Sequence, residues 1–400
     1  MRKLEPTRGY LLVYGLQTAM MHLLGPYLVL WMKGKGLTFV EIGLTQSLFM
    51  GMTLLLDLPT GGLADKYGRR LNHAFGMLLY GLGYLLIAAS GSVAGFAAGF
   101  ALAGGGAAFT SGSLTAWFYD SVDDQRTAYS TFSKSSIVEG VVGPACGVLA
   151  SLISTLALNL PIIVSGAVAV TASFVAVIWL RENYGGERER SYARILREGV
   201  SEVAGSKVLL CLILAGLFMS FVLPTFMLYW VMILKDCGLP EAASGAVYTL
   251  LILSMSLGGL ISHRLSKRAD FRGVTVLSTL GWAVLFLGIS VSRSLFLSIL
   301  LFIGVEIAYA IRSAAVLTFE NEVVSQRNRA VVFSFLGTVM SVFGVVSNLL
   351  IGAAADAWGL RALYRLAALS ALLSALCVLA AARSRKPSHG KEGVKIESAV

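Results

Sequence analysis

The 400-residue sequence predicts an all-α membrane protein with twelve transmembrane helices arranged as two pseudo-symmetric six-helix bundles. Three observations carry this. Apolar residues make up 56% of the chain and charged residues 14%, whereas a soluble domain carries roughly 25% charged residues. Twelve apolar stretches are each long enough to cross a hydrocarbon layer of about 30 Å, which takes about 20 helical residues. Lys and Arg alternate between rich and poor loops in the register that twelve crossings require.

The spans are expected at 10–32, 40–62, 72–91, 94–117, 131–155 and 160–180, then at 207–234, 241–262, 273–291, 294–318, 330–354 and 361–382. The short alternating segments of a β-barrel are absent. The run after Met1-Arg2-Lys3 is long for a signal-peptide core and lacks a small-residue cleavage site, so it is expected to be retained as the first span. In span four small residues recur every fourth position from Gly91 to Thr115, a ladder that lets a neighbouring helix pack closely.

With both termini on one side, the segments on that side hold 25 Lys and Arg and the opposite loops hold six: Lys33, Lys35, Lys235, Arg293, Arg361 and Arg365. Arg312 falls inside span ten. The bias predicts that both termini are cytoplasmic and that the net charge of +10 reflects topology rather than nucleic-acid binding. The expected organisation is a cytoplasmic N-terminus (1–9), a first bundle (10–180), a cytoplasmic central loop (181–206), a second bundle (207–382) and a cytoplasmic, disordered tail (383–400). Within the central loop, 191–203 has the pattern of an amphipathic surface helix. The four cysteines are scattered, the four histidines share no ligand spacing, and no phosphate-binding loop or nucleophile–base motif occurs. No cofactor, metal or enzymatic activity is therefore expected.

The loop after span two reads Gly61-Gly62-Leu63-Ala64-Asp65-Lys66-Tyr67-Gly68-Arg69-Arg70. It aligns without gaps, 198 residues on, with the loop after span eight, Gly259 to Arg268, where His263 replaces Asp65 and Ser266 replaces Gly68. Two related six-span halves are one arrangement of secondary transporters. The first loop resembles the signature loop of the major facilitator superfamily. Asp57-x-Pro59-Thr60-Gly61 before it is similar to an extension common in bacterial and archaeal members, which more often have Glu where this chain has Asp57. Span five carries Gly140-x-x-Gly143-Pro144-x-x-Gly147, which resembles a motif of drug–proton antiporters. The resemblance covers the whole chain. It implies a gating latch between the halves built on Gly61, Asp65, Lys66, Gly68, Arg69 and Arg70, with Asp120 as a further partner, and a helix-bending role for the span-five motif. The plainer readings are a basic anchor with one local ion pair, and simple helix packing.

Ionisable residues inside spans are costly and mark pathways. Glu306, near the middle of span ten, is the leading candidate for proton coupling, followed by Glu139, Asp57 and His22. Arg312 lies six residues after Glu306, about 120° around the helix. It is a candidate for the substrate cavity with Tyr309, Phe218 and Phe221, or else a structural partner of Glu306. The expected function is secondary active transport by alternating access, with proton-coupled efflux of small amphipathic or hydrophobic compounds. A specific, anionic metabolite bound by Arg312 and a non-transporting receptor on the same fold are the alternatives. The expected partners are the lipid bilayer, a small-molecule substrate and protons; the chain is expected to be monomeric, in the plasma membrane.

Overall fold

The computed structural model describes residues 3–122, 124–184, 201, 203–267, 270–324 and 329–384. The helices are α1 (Pro6–Leu24), α2 (Tyr27–Gly34), α3 (Phe39–Tyr67), α4 (Arg69–Ala89), α5 (Val93–Thr110), α6 (Ser113–Asp120), α7 (Gln125–Ser154) and α8 (Leu160–Trp179). They continue as α9 (Lys207–Asp236), α10 (Ser244–Leu265), α11 (Phe271–Val291), α12 (Leu295–Val323), α13 (Arg329–Trp358) and α14 (Leu360–Ser384). No strand occurs among the described residues. Among the described residues, eleven helical segments are long and apolar enough to cross a membrane. The remaining crossing is α1 with α2. Most of the expected surface helix at 191–203, and the tail beyond Ser384, lie outside the described residues; 383–384 belong to α14.

Two spans expected to be continuous are broken. Span one breaks at Gly25-Pro26, where Gly25 has φ +26° and Pro26 has no amide to donate. Span four breaks at Ser111-Gly112, with Gly112 left-handed at φ +66°. Other helices outrun their apolar windows because polar caps start them early. Thr38 and Glu41 form a reciprocal capping box at the start of α3. Asp124 accepts from the amides of Arg126 and Thr127 at the start of α7, and those bonds hold its carboxyl below its ordinary range. Pro59, Pro144 and Pro224 all lie inside helices that continue through them.

In the first half α4 packs on α5 and α8, α1 on α7 and α8, and α3 on α5. In the second, α14 packs on α9 and α11, and α12 on α10 and α11. The halves meet chiefly through α3 with α13 and α7 with α10. The buried core has the shape of a Y. One cluster, holding Tyr27, Ile42, Tyr229, Trp230 and Tyr364, joins both halves at the end of the molecule remote from the termini, here called the distal face. Toward the face that carries the termini it divides into two separate clusters. One is built around Tyr10, Trp117 and Phe118, the other around Leu209, Phe319 and Val378.

Candidate functional site

The space between the arms of the Y is the candidate site, and glycines shape its closed end. A methyl on Gly43 would lie 2.3 Å from the Asn348 carbonyl oxygen, and one on Gly352 2.4 Å from the Phe39 carbonyl oxygen. Between α7 and α10, a methyl on Gly245 would lie 2.4 Å from the Gly147 carbonyl oxygen. Hydrogen bonds cross the same seams. The Asp356 carboxylate on α13 accepts from the amides of Phe39 (2.9 Å) and Val40 (2.7 Å), capping the N-terminus of α3, where the helix dipole favours negative charge. Ser47 donates to the Val345 carbonyl at 2.7 Å, and Thr249 to the Pro144 carbonyl at 3.0 Å. The Gly245 amide donates to the Tyr27 hydroxyl at 3.0 Å. Toward the other face these four helices diverge. A methyl on Gly51, Gly61 or Gly62 of α3, on Gly140 of α7, on Gly259 of α10 or on Gly337 of α13 would meet nothing within 4 Å. The cavity is closed distally and open toward the termini.

A polar cluster bridges the halves at the apex of this cavity. Tyr14 on α1 donates to Glu139 on α7 at 3.0 Å. His22 Nδ1 lies 3.1 Å from the Tyr248 hydroxyl on α10. The His22 ring fills a notch at Gly143, where a methyl would come within 3.1 Å of Nε2. The Tyr248 ring stacks on Trp230 (centroids 6.2 Å apart) and covers the helix break at Gly25. Tyr248 is within electrostatic reach of both Glu306 and Glu139, and His22 of Glu139. Glu306 is half-buried, and its carboxyl has no hydrogen-bond or ion-pair partner among the described residues. Three of the four candidate titrating residues, His22, Glu139 and Glu306, thus gather around Tyr248, an aromatic that sequence reasoning passed over. Asp57 is exposed on the divergent part of α3, away from this cluster.

The cavity candidates fare differently. Arg312 does not pair with Glu306. Its Nε donates to the Thr279 hydroxyl at 3.1 Å, and its guanidinium lies 5.9 Å from the Trp282 ring centroid. It also interacts with Glu320, two helical turns on. The 120° offset from Glu306 turns it toward α11, inside the second half. Tyr309 goes with it, stacked on Trp282 at 5.9 Å. Phe221 lines a lateral groove with residues of α13 and α14. Phe218 is half-buried on α9, with no ring partner among the described residues.

The signature loop forms a network inside the first half. Asp65 accepts from Arg69 at 3.2 Å, and Arg69 also pairs with Asp120 and donates to the Ala116 carbonyl at 3.0 Å. Gly68, at φ +108°, makes the α3–α4 turn, where a methyl would collide with Glu182. Glu182, a partner not anticipated, accepts from the Arg70 amide at 2.8 Å and pairs with its guanidinium at 3.1 Å. Lys66 lies over the Tyr67 ring. Gly61 faces open space.

A family model described as Major Facilitator Superfamily matches residues 10–311 and 208–398. The uncharacterized MFS-type transporter YxaM of Bacillus subtilis (strain 168) is 20% identical over 367 residues, covering 88% of this chain and 90% of the relative. Among solved structures, the nucleoside transporter NupG superimposes with a TM-score of 0.80 at 13% identity, over 96% of this chain and 100% of that one. A bacterial homologue of the human lysosomal transporter Spinster, in an inward-facing and occupied conformation, does so with a TM-score of 0.74 at 15% identity, over 96% and 98%. At these identities the structural likeness establishes the fold.

Proposed function

The chain belongs to the major facilitator superfamily, and from that premise we propose that it is a proton-coupled exporter of small amphipathic compounds, neutral or cationic, working by alternating access in the plasma membrane. Membership makes it a multi-pass membrane transporter. The finer reading rests on the polar cluster at the cavity apex. Its charged members are the acids Glu139 and Glu306, while Arg312 is turned away against Thr279 and Trp282. A cavity of one charge sign concentrates the opposite sign, so protons and cations are favoured over anions.

The physics of closure supplies the coupling. Glu306 is half-buried in this state, and its carboxyl has no hydrogen-bond or ion-pair partner among the described residues. Closing the terminus face would bury it further, and an unpaired carboxylate away from water is strongly disfavoured. Closure therefore requires that Glu306 take up a proton or meet a cationic substrate. That competition is the minimal device for exchange. The Lys/Arg distribution orients the open side toward the cytoplasm, where an exporter loads, and the span-five resemblance to drug–proton antiporters favours the same direction.

A second reading has an observation of its own. Tyr248 and His22, backed by the buried Trp230, form a run of rings at the cavity apex, and the two part-exposed rings are suited to a planar heterocycle. A specific ring-containing metabolite, such as the nucleosides named for NupG, would use it.

Flux in proteoliposomes with an imposed pH gradient separates these readings. The panel holds cationic dyes, nucleosides and organic anions. Gradient-driven movement of cationic or neutral members, lost with a protonophore, is expected. Movement confined to nucleosides would favour the second reading. Anion-selective or gradient-independent flux would overturn proton exchange, and binding without any flux would return the chain to a receptor role.

A further inference from the structure

We propose that the distal end of the second half carries a specific binding site for one anionic phospholipid, separate from the transport cavity. Four of the six cations outside the basic loops, Lys235, Arg293, Arg361 and Arg365, line a single pocket of about 590 Å³ between α9, the α11–α12 turn and α14. Such residues are sparse on this side of the chain, so their convergence calls for a cause.

Two of the four are already engaged. Lys235 pairs with Glu241, and Arg361 pairs with Asp236 at 2.7 Å while donating to the Ser292 carbonyl. Arg293 and Arg365 are exposed and have no hydrogen-bond or ion-pair partner among the described residues. Arg365 is the more telling. It lies five residues into α14, roughly 7 Å below the helix start. Its neighbours on the same face are Ala362, Leu366 and Leu369, the last two exposed as lipid-facing residues are. An unpaired guanidinium on a lipid-facing stripe is unfavourable. A phosphate removes that penalty, because guanidinium matches its oxygens bidentately.

The pocket also continues into an acyl-chain site. Trp358, 66% exposed at the end of α13, lines the basic pocket and also an apolar groove of about 450 Å³. That groove runs down α13 from Trp358 past Ala354 to Leu350, with Phe221 and Leu363 as its walls. Eight helical residues span roughly 12 Å, close to the hydrocarbon depth of one leaflet. Charged pocket, interfacial tryptophan and apolar groove follow one another along the membrane normal, in the order of a phospholipid's own parts. A soluble phosphate would use the first and leave the other two empty.

The test uses the full chain in nanodiscs with phospholipids brominated on their acyl chains, which quench nearby tryptophan. The Trp358 signal is wild type minus Trp358→Phe. At equal mole fraction, brominated phosphatidylglycerol is expected to quench that signal more strongly than brominated phosphatidylcholine. The double variant Arg293→Gln/Arg365→Gln should reduce the preference by about fivefold per arginine. sn-Glycerol 3-phosphate, which has the headgroup phosphate and no chains, should not compete at millimolar concentration. Equal quenching by the two lipids, or a preference unchanged in the double variant, would overturn the proposal. Full competition by glycerol phosphate would overturn it in favour of a soluble-anion site. The wild-type comparison and the competition need no arginine variant to fold, and neither depends on what the cavity transports.

Discussion

Replacing Gly245 with alanine would test whether backbone contact holds the distal face shut. The added methyl would sit 2.4 Å from the Gly147 carbonyl oxygen, 2.8 Å from the Ser151 amide nitrogen and 3.0 Å from Ser151 Cβ. A carbon–oxygen contact relaxes at roughly 3.3–3.6 Å, so α7 and α10 must separate by about 1 Å. The obstructing atoms are main chain and cannot rotate away as a side chain does. Overpacking of this kind costs about 1–3 kcal/mol. The cost falls on the distally closed state alone, because the contact disappears once the helices part. At about 1.4 kcal/mol per factor of ten, the ratio of distally closed to distally open molecules should fall by roughly 5- to 140-fold. The assay is the distance between nitroxide labels at Lys35→Cys and Glu241→Cys, one in each half, in a background with the four native cysteines replaced. A longer-distance population should appear. Gly259→Ala is the control, on the same helix where the methyl meets nothing within 4 Å. Both changes raise helix propensity by about 1 kcal/mol, which acts alike in both states and cancels. An unchanged distance distribution in folded Gly245→Ala protein, or an equal shift in Gly259→Ala, would refute the reasoning.

Four further outcomes follow from the same geometry. Glu306→Gln should abolish uphill transport driven by a pH gradient while downhill exchange of a neutral substrate persists; retained uphill transport in proteoliposomes would remove Glu306 from coupling. Arg312→Ala should lower the thermal midpoint in detergent by an amount equivalent to about 2–3 kcal/mol, since it strips the Thr279 and Trp282 contacts, and it should leave the ranking of substrates unchanged; a selective loss of anionic substrates would restore it to the cavity. Asp356→Ala removes the cross-seam cap on α3, leaving the Thr38–Glu41 box in place, and should weaken distal closure by about 0.5–2 kcal/mol, read with the same spin labels; Asp356→Asn, which also caps, should retain most of the closure. Arg69→Ala should cost about 1–2 kcal/mol of stability, because Arg69 is mostly buried while Asp65 and Asp120 are about 40% exposed and partly screened; a thermal midpoint unchanged in detergent would mean that the network carries no stability.

What the sequence reveals and what it withholds follow from the range of each signal. Hydropathy and loop charge belong to single helices and their ends, so twelve crossings were countable without a structure. The breaks at Gly25-Pro26 and Ser111-Gly112 escaped because apolar composition runs unbroken across them, although Gly-Pro itself was a visible warning. The separation of Glu306 from Arg312 was half legible. Their 120° offset follows from helix geometry, but which side of α12 faces α11 depends on the packing of a neighbouring helix. Tyr248 was invisible for a related reason: its partner His22 is 226 residues away, and nothing local distinguishes it from a packing aromatic. Asp356 and Glu182 had a local signal that went unused. Asp356 is an acid beside a long apolar span, and Glu182 is an acid at the end of span six.

Asp356 also bears on how the two halves divide the work of alternating access. The glycine contacts at the distal seams are repeated in both helix pairs, Gly43 and Gly352 in one, Gly147 and Gly245 in the other. A symmetric seal of this kind favours closure but is insensitive to which ligand is bound. The polar elements are not repeated. The carboxylate cap belongs to α3 with α13, whereas the His22–Tyr248 link runs from α1 to α10, beside the α7–α10 seam. On the proton-coupling reading, a change of charge at Glu306 would be felt electrostatically by Tyr248 on one side, while α3 with α13 opposes it with a fixed cap. The helix α3 carries Asp65 at its other end, held by Arg69 in this state. On the latch reading, closing the terminus face would part contacts at both ends of α3: Asp356 would leave its start as Asp65, near its end, leaves Arg69. If the two contacts are of similar strength, the two states lie near balance. A coupling ion at Glu306 would then need to supply only the few kcal/mol that a population shift requires.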